Sequence, residues 1–383
     1  MPLLNLVALM RPSSQARKPS DRTPPTRRLT AASRPLSPIS NVTPRRVRRL
    51  LACLRLIPPL QYLRGSLGAG NLTPSLRLRA FGKRACPNEP GVSPRSLWRR
   101  TVANVHAVED ASFSINVGET LSLVGESGCG KSSCGRSILR LVEPQAGEIW
   151  LNGREIRGLP RVELRKARRE MQMVFQDPFA SLNPYRRLRD QVAEPLVNFG
   201  LASKADIEDR VAQLFDRVEL PRSFLNRYPH ELSGGQRQRV AIARAIAPNP
   251  KLVIADEAVS ALDVSVQAQV LNLLMELQLD LGLSFLFISH DIAVVERISH
   301  HVGVMYLGRI VELGPRPAVF EDPRHPYTKV LMSAVPVADP RRRRIHETPS
   351  AKPIVSPIFP PGHQPQPSRY DEVTPGHFVL NPN

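Results

Sequence analysis

A glycine-rich loop that ends in a lysine and two serines has residue types and spacing that could bind phosphate. It reads Gly125-Glu126-Ser127-Gly128-Cys129-Gly130-Lys131-Ser132-Ser133 and fits the pattern G-x-x-x-x-G-K-[ST]. Glycines let the backbone wrap so that successive N–H groups point at phosphate oxygens. The pattern predicts that Lys131 reaches the β- and γ-phosphates of a nucleotide and that Ser132 binds Mg²⁺ through its hydroxyl.

Two acids supply the second half of such a site. Asp256 and Glu257 end the apolar run Lys251-Leu252-Val253-Ile254-Ala255. An acidic pair after a strand is usually a solvated loop. With a phosphate loop upstream, we instead expect Asp256 beside the Mg²⁺ and Glu257 facing the γ-phosphate, where it polarises the attacking water.

Two further polar residues also follow short apolar runs. Gln176 comes after residues 171–175 and His290 after residues 285–289. Open α/β sheets bind ligands at the carboxyl ends of their strands, so Gln176 is predicted to lie near Mg²⁺ and the attacking water. His290 is predicted to donate to the γ-phosphate. A lone Gln or His in a loop is more often structural, and each role depends on the rest of the set.

The elements that position these residues alternate between strands and helices. Strands are predicted at residues 119–124, 171–175, 251–255 and 284–288, with a loose edge hairpin at 106–117. Helical periodicity covers residues 207–218, 235–247 and 266–281. This alternation predicts an α/β fold with a mostly parallel sheet covered by helices on both faces.

Charge divides the chain of 383 residues unevenly. The first 100 residues hold 20 Lys+Arg against 2 Asp+Glu, and the remainder holds 33 against 32. The near-neutral remainder argues against a nucleic-acid partner. The four cysteines have neither metal-ligand nor disulfide-framework spacing, which favours a reducing compartment. No apolar run approaches the roughly 20 residues that are needed to span a bilayer. At a membrane, the protein is therefore expected to be a peripheral subunit.

Residues 104–336 resemble the nucleotide-binding subunit of an ABC transporter. The family's Walker A loop matches residues 125–132, and its Walker B strand matches residues 252–256 with Glu257. Its Q-loop matches Gln176, and its switch histidine matches His290. Its signature matches Leu232-Ser233-Gly234-Gly235-Gln236 and its D-loop Ser260-Ala261-Leu262-Asp263.

This resemblance implies a P-loop NTPase core with a small N-terminal antiparallel β subdomain and a helical signature subdomain at about residues 177–245. It implies ATP and Mg²⁺ as cofactors, with ATP bound by residues 125–133. The metal would be bound by Ser132, Gln176 and Asp256, and the catalytic residues would be Glu257, His290 and Gln176.

The family's mechanism also implies partners. Two ATP-binding subunits pair head to tail, so that Ser233, Gly234, Gly235 and Gln236 of one bind the γ-phosphate held by the other, with Asp263 in the D-loop beside them. The second subunit is either an identical copy or a paralogue. Two transmembrane permeases and an extracytoplasmic solute-binding protein complete the implied importer, at the cytoplasmic face of the bacterial inner membrane.

Past residue 305 the chain resembles a narrower group, the oligopeptide, dipeptide and nickel importers. The match rests on three motifs within an extension of about residues 305–336: Tyr306-Leu307-Gly308-Arg309-Ile310-Val311-Glu312, His325-Pro326-Tyr327-Thr328-Lys329 and Ser333-Ala334-Val335-Pro336. Residues 175–184 and 289–297 are most similar to the second half of double-domain glutathione importer ATPases. The implied cargo is a peptide, with glutathione, another peptide and a nickel complex left open.

Three features depart from the family. No cysteine follows Cys134, so the C-terminal iron–sulfur centre of some relatives cannot form. No aromatic near Val102 is placed to stack on adenine, and Trp98 is a distant candidate. Residues 1–95 are basic, hold 14 of the 38 prolines and match nothing in the family. We expect them to be a poorly ordered extension, and their composition resembles a shifted reading frame; a transit peptide and a lipid-binding arm are alternatives.

The domain plan is thus an extension at 1–95, a nucleotide-binding domain at 96–336 and a poorly ordered Pro-rich tail at 337–383. Two other interpretations remain. A soluble ABC protein of DNA repair or translation would normally show zinc-binding cysteines, long coiled coils or tandem ATPase domains, and the sequence shows none of them. An inactive nucleotide-binding remnant is distinguished from an active ATPase only by measured turnover.

Overall fold

The computed structural model describes residues 76–85, 104–334, 358–359 and 367–381. These residues belong to one compact unit, Ala69–Asn383. Its strands are β1 (Leu76–Ala85), β2 (Asn104–Ile115), β3 (Thr120–Val124), β4 (Ala146–Leu151), β5 (Arg154–Glu155), β6 (Met171–Val174), β7 (Leu252–Asp256), β8 (Ser284–Ile288), β9 (His301–Tyr306), β10 (Arg309–Pro315), β11 (Ile358–Phe359), β12 (Tyr370–Thr374) and β13 (His377–Leu380). Its α-helices are α1 (Lys131–Ile138), α2 (Arg161–Glu170), α3 (Pro178–Ser181), α4 (Leu188–Asn198), α5 (Ile207–Arg217), α6 (Gly234–Ile246), α7 (Val264–Leu281), α8 (Ile292–Ile298), α9 (Arg316–Glu321) and α10 (Pro326–Ser333).

The larger sheet has the strand order β12-β13-β10-β9-β3-β8-β7-β6. Strands β9, β3, β8, β7 and β6 run parallel to one another, and β10, β13 and β12 continue the sheet in antiparallel fashion. All five residues of β3, of β7 and of β8 are buried. This burial explains why these strands consist mainly of apolar residues, as expected of a parallel sheet covered on both faces; the exception that bears a charge is Asp256 at the end of β7. The predicted α/β fold with a mostly parallel sheet is confirmed.

The smaller sheet is antiparallel, with the order β11-β2-β1-β4-β5. The hairpin predicted at residues 106–117 is wrong, because β2 is one continuous strand. Its sequence contains no Gly or Pro to form a tight turn. Asp110 instead adopts a left-handed conformation with φ 49°, and the register with β1 shifts nearby, between Phe81 and Lys83.

Strand β1 lies inside the segment predicted to be an extension. Leu76 pairs with Ile115 of β2 on one side and with Leu151 of β4 on the other, and it is fully buried. The boundary expected at residue 95 therefore differs from the structure, since at least the ten residues of β1 belong to the sheet. The rest of the predicted extension lies outside the described residues, and so does Trp98.

The tail expected at 337–383 also contributes to the fold. Strand β13 pairs with β10 through Glu312 and Val379, and β12 pairs with β13. The tail has too few apolar residues for a core of its own, but a hairpin needs none when it extends an existing sheet. Pro-rich composition is thus a poor guide to this segment. The tail also contains a run of four arginines at residues 341–344, which lies outside the described residues.

Helices α3 to α6 form the region between β6 and β7. Phe215 of α5 is fully buried in a core that includes Val192 of α4 and Val240 of α6. A second core joins the two sheets around α1 and includes Ile149 and Ile254. Across the described residues, no helix is both long and apolar enough to cross a membrane.

Candidate functional site

The glycine-rich loop connects β3 to α1, as the sequence pattern requires. Gly125, Gly128 and Gly130 have φ values of 151°, 83° and 107°. Helix α1 begins at Lys131, with Gly130 as its N-cap residue in a left-handed conformation. No side chain caps this helix end, so its first N–H groups are free of side-chain acceptors and face the loop.

Two of the glycines are required by close packing as well as by backbone conformation. A Cβ on Gly125 would lie 2.1 Å from the carbonyl oxygen of Met305, and one on Gly130 would lie 1.9 Å from that of Ala107. These contacts are with backbone, which cannot move aside as a flexible side chain can. A Cβ on Gly128 would have nothing within 4 Å. The loop is therefore wedged between β2 and β9.

The ammonium group of Lys131 lies at the centre of this loop. Its Nζ donates hydrogen bonds to the carbonyl oxygens of Gly125 at 2.7 Å and Glu126 at 2.8 Å. The residue is only 4% exposed. Burial raises the pKa of the neighbouring Cys129 thiol, although Lys131 partly offsets this effect. Cys129 is thus a neutral packing residue of the loop, and Lys131 provides its positive charge.

Ser132 and Asp256 meet across the site. The Ser132 hydroxyl donates to Oδ1 of Asp256 at 2.6 Å. Asp256 is fully buried at the end of β7, and burial raises the pKa of its carboxyl group. Its second oxygen, Oδ2, has no hydrogen-bond partner among the described residues and lies 3.7 Å from the Arg136 guanidinium.

A buried carboxylate oxygen without a hydrogen bond is costly unless a cation approaches it. Mg²⁺ prefers hard oxygen ligands and often binds one or two carboxylates together with phosphate oxygens. The Ser132 hydroxyl and the Asp256 carboxylate are donors of this kind. The residues present therefore fit the ion that the sequence predicts.

Glu257 is held between the two polar residues predicted around it. Its Oε2 accepts a hydrogen bond of 2.7 Å from Nε2 of Gln176, and its Oε1 lies 3.3 Å from Nδ1 of His290. Glu257 has a positive φ of 46°, and its N–H donates to the carbonyl of Ile288 in β8. A left-handed conformation is uncommon for a residue other than glycine, so this backbone is constrained by its neighbours.

Sheet order explains why these residues meet. Gln176, Glu257 and His290 each follow one of three adjacent parallel strands, β6, β7 and β8. The carboxyl ends of parallel strands share one edge of the sheet, which is also where the loop after β3 begins. The structure thus brings together Lys131, Ser132, Asp256 and this trio.

A pocket at this edge is lined both by predicted residues and by residues that the sequence did not indicate. The predicted ones are Ser127, Gly128, Cys129, Gly130, Lys131, Ser132, Ser133, Gln176 and Glu257. The others are Val105, His106 and Ala107 of β2 and the turn Leu307-Gly308. This turn is tied to the loop because the Gly308 N–H donates to the carbonyl of Cys129. The sequence indicated this turn only through the motif that begins at Tyr306 and contains it.

The predicted signature lies elsewhere, at the start of α6. Ser233 is the N-cap residue; its hydroxyl accepts from the Gln236 N–H at 3.3 Å, and the Gln236 side chain accepts from the Ser233 N–H at 3.0 Å. This reciprocal capping box gives Gln236 a structural role at the N-terminus of α6. A Cβ on Gly235 would lie 2.3 Å from Cγ1 of Val266 in α7. None of these residues lines the pocket at Lys131.

Asp263, predicted as the D-loop acid, is the N-cap residue of α7. Its carbonyl accepts from the Gln267 N–H at 2.8 Å, and its side chain makes no capping hydrogen bond. Ser260, the first residue of the D-loop motif, donates from its hydroxyl to the carbonyl of Glu257 at 2.9 Å. The D-loop segment is therefore attached directly to the backbone of the proposed catalytic residue.

Two family models match this chain. Residues 108–260 match the model described as ABC transporter, and residues 311–362 match the model described as oligopeptide/dipeptide transporter, C-terminal region. The second match overlaps the C-terminal extension predicted at about residues 305–336 and continues beyond it.

Among curated proteins, the chain is similar to glutathione import ATP-binding proteins named GsiA. It is 56% identical over 285 residues to the protein from Pectobacterium atrosepticum and 55% identical over 286 residues to that from Escherichia coli strain K12. These alignments cover 74% and 75% of this chain but 46% of each relative. The chain thus spans about half the length of the curated relatives it matches.

Solved structures of ATP-binding cassettes share the fold. The chain is 27% identical to cbiO1 from Clostridium perfringens, part of the ABC transporter complex cbiONQ, with a TM-score of 0.55 over 65% of this chain and 91% of that one. It is 29% identical to the cassette MJ0796 in a dimeric post-hydrolysis state bound to ADP and Pi, with a TM-score of 0.54 over 63% of this chain and 98% of that one. The chain therefore carries an ABC transporter domain and an oligopeptide/dipeptide transporter C-terminal region, and it is similar to import ATP-binding proteins that are about twice its matched length.

Proposed function

We propose that this chain is the ATP-binding and ATP-hydrolysing subunit of an ABC importer that takes up peptides. The observation that carries the proposal is the position of Glu257, whose two carboxylate oxygens are held by Gln176 and His290 at the sheet edge that also bears Lys131. A carboxylate fixed in this way is suited to orienting a water molecule against a γ-phosphate. Glutathione is the leading candidate cargo because the similar curated proteins are named for its import.

In the proposed mechanism, Lys131 binds the β- and γ-phosphates within the loop. Glu257 then accepts a proton from the water whose oxygen bonds to the γ-phosphorus, and the bond from that phosphorus to the bridging oxygen breaks, so that ADP and phosphate are formed. Gln176 and His290 keep the carboxylate in place for this step. His290 is half exposed, so its ring can turn toward the γ-phosphate when nucleotide is bound. Mg²⁺, bound by the Ser132 hydroxyl with Asp256 and Gln176, would neutralise charge that develops on the phosphate oxygens.

The adenine base is proposed to lie against β2. Val105, His106 and Ala107 line the pocket beside the phosphate loop, with Leu307 and Gly308 on the neighbouring turn. These residues offer an apolar and backbone surface. A stacking aromatic is not needed for such contact, although Trp98 remains a sequence-based candidate outside the described residues.

A second ATP-binding subunit is proposed to complete the site. The N-terminus of α6, with Ser233, Gly234 and Gly235, is outside this chain's own phosphate pocket. A helix N-terminus with small residues is suited to binding an anion brought to it by another subunit. The solved MJ0796 cassette, described as dimeric and bound to ADP and Pi, supports this arrangement.

Permeases are proposed to contact the groove between α2, α4 and α6. It is lined by Leu141 and Phe175, which are 50% and 41% exposed, and by Arg165 and Arg168. Phe175 directly precedes Gln176, so an occupant of the groove would touch the segment that holds Glu257. This contact would keep the protein at the cytoplasmic face of the inner membrane, together with a solute-binding protein on the other side.

The test is reconstitution of the full chain with its permeases and solute-binding protein in proteoliposomes. We expect MgATP turnover that rises when the binding protein carries its cargo, and uptake of labelled glutathione or of a labelled dipeptide. Uptake of one cargo and not the other assigns the substrate. Absence of MgATP turnover in the assembled complex would refute the proposed function.

A further inference from the structure

The C-terminal region reaches back to the phosphate loop through one side chain. Tyr327, the second residue of α10, accepts a hydrogen bond of 3.1 Å at its hydroxyl from the backbone N–H of Glu126. Its ring packs against that of Tyr306 in β9, with the centroids 4.4 Å apart. Burial raises the pKa of Tyr327 to about 12, so the phenol is neutral at physiological pH.

The peptide group that Tyr327 holds is also one that holds Lys131. The carbonyl of Gly125 and the N–H of Glu126 belong to the same planar peptide unit. Its oxygen accepts from Nζ of Lys131 at 2.7 Å, and its N–H donates to Tyr327. The orientation of this peptide therefore sets where the lysine ammonium rests. Hydrogen bonds at the two ends of one peptide also polarise it and strengthen each other.

A buried carboxylate keeps Tyr327 in place. Glu312 of β10 is fully buried, and its oxygens accept from the backbone N–H groups of Arg324 and His325, each at 2.9 Å. The imidazole of His377 in β13 lies 2.8 Å from the same carboxylate and is 1% exposed. His325 in turn accepts the Tyr327 N–H at its ring as the N-cap of α10. The start of α10 is thus fixed from within the sheet.

We propose that Tyr327 is a positioning residue for the phosphate loop. It holds the Gly125–Glu126 peptide in the orientation that prepares Lys131 for the phosphates, and Glu312 with His377 holds Tyr327. The C-terminal hairpin is thereby connected to the nucleotide site within one chain. This inference rests on the proposed ATP-binding function and adds to it a residue that does not touch the nucleotide.

The test compares Tyr327→Phe with Tyr306→Phe in the purified full chain. Each change removes one hydroxyl from the same ring pair, and no hydrogen bond of the Tyr306 hydroxyl is found within the described residues. With MgADP as the titrated ligand, Y327F should weaken binding by about fivefold, the effect of one neutral hydrogen bond, while Y306F should match the wild type. In MgATP turnover, Y327F should raise KM with kcat changed by less than about twofold.

A double-mutant cycle tests whether His377 acts on nucleotide binding through Tyr327. His377→Gln should weaken MgADP binding by about twofold in the wild-type background and have no effect in Y327F, since the tyrosine hydroxyl is the route by which it acts. Full additivity would overturn the role of His377, and equal MgADP affinities for Y327F, Y306F and wild type would overturn the role of Tyr327. If H377Q does not fold, the comparison of Y327F with Y306F alone decides whether Tyr327 positions the phosphate loop. A wild-type chain that binds no MgADP refutes the proposed function itself and the inference with it.

Discussion

Gln176 donates a hydrogen bond of 2.7 Å to Oε2 of Glu257 across 81 positions of the sequence. The two residues meet because β6 and β7 are parallel neighbours, with Val174 opposite Ala255 at their carboxyl ends. A carboxylate that is already oriented in this way loses little freedom when water and phosphate arrive. Movement of the Gln176 segment would release the Glu257 carboxylate, so under the proposed function we expect an occupant of the groove beside Phe175 to alter the rate of hydrolysis.

Replacement of Glu257 by Gln should separate nucleotide binding from hydrolysis. The amide keeps the size of the side chain but cannot accept a proton, so MgATP turnover should fall by at least about 100-fold while ATP binding persists. A stable ATP-bound dimer should then accumulate, measurable by size-exclusion chromatography with light scattering. Glu208→Gln, on the exposed first turn of α5, is the control for loss of a carboxylate. Undiminished turnover in E257Q would remove Glu257 from the mechanism.

Replacement of Ser132 by Ala should weaken the magnesium dependence of nucleotide binding. The hydroxyl that donates to Asp256 at 2.6 Å is also the proposed metal ligand. We expect ATP affinity in EDTA to change little and the gain in affinity on adding Mg²⁺ to fall by about tenfold, the lower end of the range for a hydrogen bond to a charged group. Ser333→Ala, which removes an exposed hydroxyl in α10, is the control. An unchanged magnesium gain in S132A would contradict the proposed metal site.

Local patterns were sufficient to predict the parts of the site that lie at strand ends. The glycine loop, Asp256 and Glu257 are continuous in sequence with the strands that position them. A parallel sheet then brings Gln176 and His290 to the same edge whatever the intervening sequence. For this reason the fold class and the clustering of these residues could be predicted from the sequence.

Contacts that depend on how edge elements dock were not predictable. Nothing in the motif around Tyr327 indicates that its hydroxyl meets Glu126, since that contact depends on the path of the chain after β10. The Pro-rich composition of the tail likewise hides His377, which is buried only because Glu312 faces it from β10. The alternation within β1 was masked by the basic composition around it.

Replacement of Gly235 by Ala should destabilise the fold, whereas replacement of Gly234 should not. A Cβ at 235 would lie 2.3 Å from Cγ1 of Val266, a β-branched residue with little rotamer freedom in its helix, while a Cβ at 234 would lie 3.6 Å from Leu262. Overpacking of this kind costs about 1–3 kcal/mol, and alanine is a better helix former than glycine. Thermal unfolding of the two variants without nucleotide should therefore show a lower Tm for G235A than for G234A. Equal Tm values would contradict the close packing of α6 on α7.

Lowering the pH should reduce the free energy of unfolding, partly because Glu109 becomes protonated. Its carboxylate is buried, with Arg309 Nε at 3.1 Å and His106 Nδ1 at 3.2 Å. Burial acts to raise its pKa, but the hydrogen bonds and charges of Arg309 and His106 outweigh it, so the pKa lies below its ordinary value of 4.5. A lowered pKa in the folded state means that Glu109 stabilises the protein above pH 4.5 and that this contribution is lost as the pH falls through the lower, folded value.

The comparison of wild type with Glu109→Gln measures that contribution, because other carboxylates titrate equally in both. Urea unfolding from pH 7 down to pH 3 should show the wild type as the more stable protein at neutral pH, with the difference narrowing as acid protonates Glu109. Glu208→Gln should instead follow the wild-type curve at every pH. A constant difference between wild type and E109Q would mean that the Glu109 carboxyl titrates alike in folded and unfolded chains, and that Arg309 does not stabilise its charged form.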